Sequence, residues 1–216
     1  MADTRILAQE TSVGRATSGP TTWVPARGDR SGVPFSGSRL EALALEGKVF
    51  ISSDADQNDV VTGQTSFANT TPTFLLNVPT GTTCQPLYVK LSQAGVVAGA
   101  AIDILFEIDN IAAYASGGTA ETILSTRAVA ADTASCALYT GATATAGYGV
   151  MVDHIFQVVQ DVASALTDIY QYHEIDWTPP VPLMLQGPAS FKVFTYAGTT
   201  GPSWLWSIGW AEWPSP

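Results

Sequence analysis

Charge is what this sequence has least of: only 13% of its 216 residues are charged, against about 25% in an ordinary soluble domain. Cysteine is nearly absent too. Cys84 and Cys136 stand far apart and outside any C-x-x-C arrangement, which excludes a disulfide framework and reads as two reduced, packed thiols, with a single bridge as the alternative. His154 and His173 are the only histidines, so imidazole chemistry has little to draw on. No apolar run nears the roughly 20 residues that span a bilayer. The opening MADTRILAQETS lacks the apolar centre of a signal peptide, so the chain is expected to stay soluble, with no membrane partner. Internal repeats of the solenoid or propeller kind are missing as well.

Threonine, serine, alanine and glycine fill the gap, beside 46% hydrophobic residues. Such a surface is polar without being charged, which suits contact with neighbouring subunits. The charge that exists is unevenly placed. Residues 1–40 carry five basic side chains (Arg5, Arg15, Arg27, Arg30, Arg39) against three acidic ones, a net of +2, while residues 41–216 carry four against sixteen, a net of −12. An acidic body without a Lys/Arg stripe repels phosphate, so nucleic acid is not an expected partner. The mildly basic leader fits an acidic protein surface better.

Residues 1–37 show neither a period of 2 nor one of 3.6, and Gly and Pro recur throughout. An isolated segment of this kind cannot bury enough surface to offset its chain entropy. Its apolar residues Trp23, Val24, Val33 and Phe35, with Arg27 and Arg30 between them, are the expected partner-binding residues of an extended arm. Ser38 and Glu41 form a capping box, and RLEALALE runs to Gly47, which predicts one short helix at about 39–46. Residues 1–46 are thus expected to form the arm with its helix, and 47–216 a single body.

Alternating apolar and polar runs fill that body. Strands are predicted at 48–52, 73–78, 86–92, 102–109, 150–159, 170–177, 191–196 and 204–213, with a run at 181–185 and two weaker strands at about 121–126 and 134–139. In the clearest of them Ile102, Ile104, Phe106 and Ile108 share one face, and Asp103, Glu107 and Asp109 are expected on the solvent side. In the last, Trp204, Trp206, Ile208 and Trp210 share a face, opposite the small residues Ser207, Gly209 and Ala211, where something is expected to approach closely. The helices needed for parallel crossovers are missing. The expected fold is therefore all-β: an antiparallel, jelly-roll-like β-sandwich of about eight to ten strands.

The residues that carry chemistry form no recognisable set. His154 or His173 with Asp153, Glu174 and a serine would make a hydrolytic triad, but no G-x-S-x-G elbow is present. Cys84, Cys136, His154 and His173 are zinc-ligand types without the short chelating spacing of structural sites. Asp54, Asp56, Asn58 and Asp59 alternate as calcium ligands do, yet the sixth position is not Gly and the twelfth is Thr65, which excludes an EF-hand. Arg27-Gly28-Asp29 matches the integrin-binding tripeptide, and Asn69-Thr70-Thr71 is a formal glycosylation sequon that reads as turn chemistry. Four of the six tryptophans crowd 204–213 as a buried face would; Trp23 and Trp177 are the better candidates for recognition. Neither a catalytic residue, a metal nor a cofactor is expected.

The long arm, the Thr/Ala/Gly-rich body and the segments TSFANTTPTFLLNVPTGTTCQPLYVKLSQAG, AIDILFEIDN and FTYAGTTGPSWLWSIGWAEWP resemble structural proteins of tailed bacteriophage particles, in particular jelly-roll decoration (cement) or spike proteins. The resemblance implies a non-enzymatic virion protein on the outer capsid surface, a homotrimer that stabilises the capsid while its arms contact neighbouring subunits of the major capsid protein. It also implies that the sandwiches associate through the aromatic C-terminal strand or its neighbours. A receptor- or carbohydrate-binding spike or tail-fibre protein is the alternative.

Overall fold

The computed structural model describes residues 39–54, 60–94, 101–127, 132–145, 149–158, 174–198 and 201–215, together with a small hairpin of β1 (Thr11–Ser12) and β2 (Arg15–Ala16). Helix α1 covers Arg39–Leu45. It ends where the sequence places its stop: Gly47 takes φ +75°, the Gly47 N–H donates to the Ala44 carbonyl at 3.0 Å, and the Lys48 N–H donates to the Leu43 carbonyl at 2.9 Å. This is the Schellman arrangement, which a residue with a Cβ adopts only at a cost.

The strands that follow are β3 (Val49–Ser53), β4 (Val61–Thr62), β5 (Phe74–Val78), β6 (Thr82–Gln93), β7 (Ala101–Asp109), β8 (Tyr114–Ser116), β9 (Thr119–Ala120), β10 (Leu124–Ser125), β11 (Ala137–Thr140), β12 (Thr143–Ala144), β13 (Val150–Val158), β14 (Glu174–Trp177), β15 (Leu185–Gln186), β16 (Ala189–Ala197) and β17 (Ser203–Pro214). Eight of them make two antiparallel sheets, ordered β3-β17-β6-β14 and β5-β16-β7-β13. Followed along the chain, every step between consecutive members crosses from one sheet to the other except β7 to β13, which lie side by side. That order is the jelly roll, as the alternating runs and turn spacing predict.

Short strands seal one flank of the sandwich. Between β7 and β13 the Ala/Thr/Gly-rich segment leaves the sandwich, places β10 beside β3, sets β11 beside β5 with β9 outside β11, and lays the β8–β12 ribbon apart. Ala113, Ala142 and Ala144 thereby cover Leu75, and Tyr114 stacks on Tyr139 at 4.0 Å. At the opposite flank the outermost strands among the described residues are β13 and β14.

Between the sheets lies one large aromatic and aliphatic core. Phe74 meets Trp206 from the facing sheet at 5.2 Å, and Phe106 stacks on Trp177 at 4.0 Å with planes 5° apart. Each such ring buries surface that stabilises by about 1.5–3 kcal/mol. The C-terminal strand β17 is hydrogen-bonded on both sides, to β3 and β6. Its Trp204, Trp206 and Trp210 belong to the core, while Trp213 packs with Leu43 of α1. Of the implied association through this strand or its neighbours, the part that falls on the strand's own aromatic face is corrected: both its edges are paired and all four indoles are buried. The close approach expected at its small residues is made within the chain, because a Cβ on Gly209 would overlap the Tyr88 ring and the Tyr88 hydroxyl lies 3.1 Å from Ser207 Oγ.

Candidate functional site

The arm residues expected to bind a partner, Trp23, Val24, Arg27, Arg30, Val33 and Phe35, lie outside the described residues, as do His173 and the calcium-type positions 55–59. The structure therefore speaks to the body, where three polar clusters stand out.

The first surrounds His154. On β13 its side chain is directed outward and is 43% exposed, and its Nε2 lies 2.7 Å from Asp103 Oδ1 on β7. Asp103 is in register with Tyr196 of β16. Burial pushes the Tyr196 hydroxyl above its ordinary pKa, and the Asp103 charge and hydrogen bond push it the same way. The carboxylate beside the imidazole is thus Asp103, not Asp153. Asp153 instead accepts the His154 backbone N–H at 2.8 Å and the Trp177 indole N–H at 2.8 Å. Phe156 lies opposite Asp103 in the β13–β7 register and is 58% exposed. Phe67, also exposed, sets its ring 5.2 Å from Phe194 and 5.9 Å from Tyr196. Aromatic faces beside a carboxylate and an imidazole can hold a polar ligand weakly, or a partner's side chains. A nucleophile elbow does not accompany them.

The second cluster corrects an expectation. Alternation along β7 predicts Glu107 and Asp109 on the solvent side; both are buried, and Lys192 of β16 is fully buried between them. Lys192 Nζ lies 2.5 Å from Glu107 Oε1 and 3.2 Å from Asp109 Oδ2. The physical reason is that β16 pairs with β7 so that Lys192 falls directly opposite Glu107. Gly149 then closes over the same carboxylate, donating its N–H to Glu107 Oε1 at 3.1 Å from a position where a Cβ would overlap Glu107. Beside this cluster a cleft of about 340 Å³ is lined by Ile108, Asp109, Val150, Met184, Leu185 and Ala189, among others.

The third is Glu212 of β17. Its side chain is buried, with one oxygen accepting the Ser135 N–H and the other accepting the Cys136 N–H at 3.1 Å and the Trp210 indole N–H at 3.0 Å. Cys84 and Cys136 are free and buried, packed in the interior as the sequence reading expects. The Cys136 thiol is held far above its ordinary pKa by its hydrogen bond with Cys84 and by burial. Both thiols belong to the core between the sheets, whereas His154 is turned outward. Among the described residues, no three His, Cys, Asp or Glu side chains are grouped to hold a metal ion.

Of two further candidates, one is placed differently from the sequence reading and one as read. Trp177, a candidate for recognition, is 4% exposed and stacks between the sheets, so it belongs to the core. Asn69-Thr70-Thr71 does form a turn, with the Thr71 N–H on the Ala68 carbonyl at 3.2 Å. Asp54 and Glu121 line a second cleft, of about 360 Å³, with Val61, Thr140 and Trp206.

Comparison with known proteins finds no family model, no curated protein and no solved structure that matches this chain.

Proposed function

We propose that this chain is a non-enzymatic structural protein of a bacteriophage particle: a jelly-roll brick that decorates and stabilises the capsid as a trimer, its N-terminal arm contacting neighbouring coat subunits. What supports this reading is where the sandwich leaves apolar side chains in water. One flank is capped by short strands. At the other, the long strand β13 exposes Val150 (68%), Met151 (55%) and Phe156 (58%), and Met184 lies beside it across the cleft. Edge strands with apolar side chains are surfaces that proteins either protect or use for association. Among the described residues β14 is the outermost strand of the other sheet; it is short and carries Glu174 and Asp176 outward, which is the protected form. A brick with one sealed flank and one adhesive flank suits an assembly, and a basic arm on an acidic body adds a second weak contact whose effect multiplies on a trimer through effective concentration.

The experiment is to delete residues 1–37 and ask whether the truncated protein, trimeric by light scattering, still decorates native particles in electron micrographs. A folded trimer that no longer binds is the expected result. Normal decoration by the truncated chain would sink the role given to the arm, and a monomer at all concentrations would sink the assembly.

A receptor- or carbohydrate-binding spike is the second reading, favoured by the exposed Phe67 and Phe156 rings flanking Asp103 and His154. A glycan-array signal lost in Phe156→Ala would replace the first reading with this one.

A further inference from the structure

The Lys192 cluster carries more chemistry than a salt bridge needs. One amine, with 0% exposure, is offered two carboxyls on the adjacent strand at 2.5 and 3.2 Å. Removing ions from water is costly, and their mutual attraction often fails to recover that cost. With two acids for one cation, a complete ion pair still leaves one charge unbalanced. We propose that the chain cross-links itself here: Lys192 Nζ and the Asp109 side-chain carboxyl condense into an isopeptide bond, with Glu107 moving the protons.

The roles follow from the distances. Lys192 becomes a nucleophile once it sheds a proton, and Glu107 Oε1 at 2.5 Å is the nearer base. Glu107 is itself held in place by the Gly149 N–H. Asp109, in contact with the same nitrogen at 3.2 Å, is the electrophile. The Nζ lone pair attacks Asp109 Cγ and forms the C–N bond. Of the three ammonium protons, one stays on the amide nitrogen and two pass by way of Glu107 to a carboxyl oxygen, which departs as water when its C–O bond breaks. Nothing is oxidised or reduced. The cleft beside Asp109 gives that water an exit.

Two conditions favour the step. The sheet register holds amine and acid together, replacing a bimolecular encounter by an intramolecular one. The product is a neutral amide, so the buried site loses two charges and keeps only that of Glu107, whose partners become the Gly149 N–H and the new amide N–H. The cross-link would join the inner strands β7 and β16 at the C-terminal end of β7, a covalent tie in a chain whose two cysteines are free.

The test is the intact mass of the full chain in denaturant, followed by protease mapping. The expected mass is lower than that of the sequence by one water, with a branched peptide joining the Asp109 and Lys192 segments. Lys192→Arg and Asp109→Ala should restore the uncondensed mass. Glu107→Gln should leave most chains uncondensed although both reacting groups remain. Asp109→Asn should close with loss of ammonia in place of water. A wild-type chain that keeps its full mass after prolonged incubation in the folded state overturns the proposal and leaves a buried ion cluster. So does a water loss that maps to a cyclic imide within Asp109-Asn110. The wild-type map decides the matter even if every variant fails to fold.

Discussion

Replacing Glu212 by glutamine tests whether the side chain works as an ionised, acceptor-only group. Three N–H donors converge on its two oxygens, from Ser135, Cys136 and the Trp210 indole, and none of the three can accept in return. Glutamine keeps the shape but turns an NH₂ group toward one side of this donor set. At least one N–H then loses its acceptor inside the core, and the remaining bonds lose their charge assistance. A stranded buried donor costs about 1–3 kcal/mol, and bonds to a charged group contribute about 1.5–3 kcal/mol each, so Glu212→Gln should destabilise by about 2–4 kcal/mol. In a domain of this size that lowers Tm by roughly 5–15 °C. Urea unfolding at one fixed protein concentration is the assay, because any self-association adds stability by mass action. Glu174→Gln, on an exposed position of β14, is the control and should stay within about 0.5 kcal/mol of wild type. If the two variants prove equally stable, the carboxylate is not organising residues 135 and 136, and the account of this cluster is wrong.

Gly209→Ala should be destabilising by about 1–3 kcal/mol, since its Cβ would overlap the Tyr88 ring. The Gly209→Ala, Tyr88→Ala double variant should then cost less than the sum of the single changes, and strict additivity in urea denaturation would contradict the contact. Tyr196 should ionise above the ordinary 10.0, chiefly because it is partly buried and secondarily because Asp103 faces it. A raised folded-state value means that the protonated ring is the favoured one. Its contribution to stability is complete below the unfolded value and is lost as pH rises through the folded one. The ultraviolet difference titration of wild type against Tyr196→Phe isolates this group. Asp103→Asn should move its midpoint down but not fully to the ordinary value, and an unchanged midpoint would show that the carboxylate does not face the phenol.

Much of the architecture is legible in the chain because its information is local. Alternation along 102–109 and 204–213, the apolar run of 191–196 and the helix stop at Gly47 all concern neighbours a few residues apart, and each is realised within a residue or two of its expected place. The segment between β7 and β13 is different. Its strands are two to four residues long and rich in Ala, Thr and Ser; β10 and β11 fall on the two weaker strands predicted at about 121–126 and 134–139, beside the edges of β3 and β5. Pattern alone cannot fix the register or the limits of a strand that depends on its partner.

The polar clusters fail to show for a related reason. A period of two tells which side chains share a face, but not whether another part of the chain will cover it. Asp103, Glu107 and Asp109 are one such face, and its fate divides: Asp103 stays near solvent with His154, whereas Glu107 and Asp109 disappear beneath Lys192 and Gly149. The register that pairs Lys192 with Glu107 joins residues half the length of the body apart. One clue was present. Lys192 interrupts the run FKVFTY, where every neighbour but one threonine is apolar, and a lysine in such a place needs a carboxylate opposite. Two acids spaced by two on another strand supply it in a register that sets their face opposite the lysine, as Glu107 is set here. Trp177 makes the converse point: it ends a short run before two prolines and reads as exposed, but its ring is drawn between the sheets because Phe106 and Phe191 leave room for it there. In both cases burial is decided by the facing strand, so the residues that most invite a functional reading are those whose surroundings the sequence pattern specifies least.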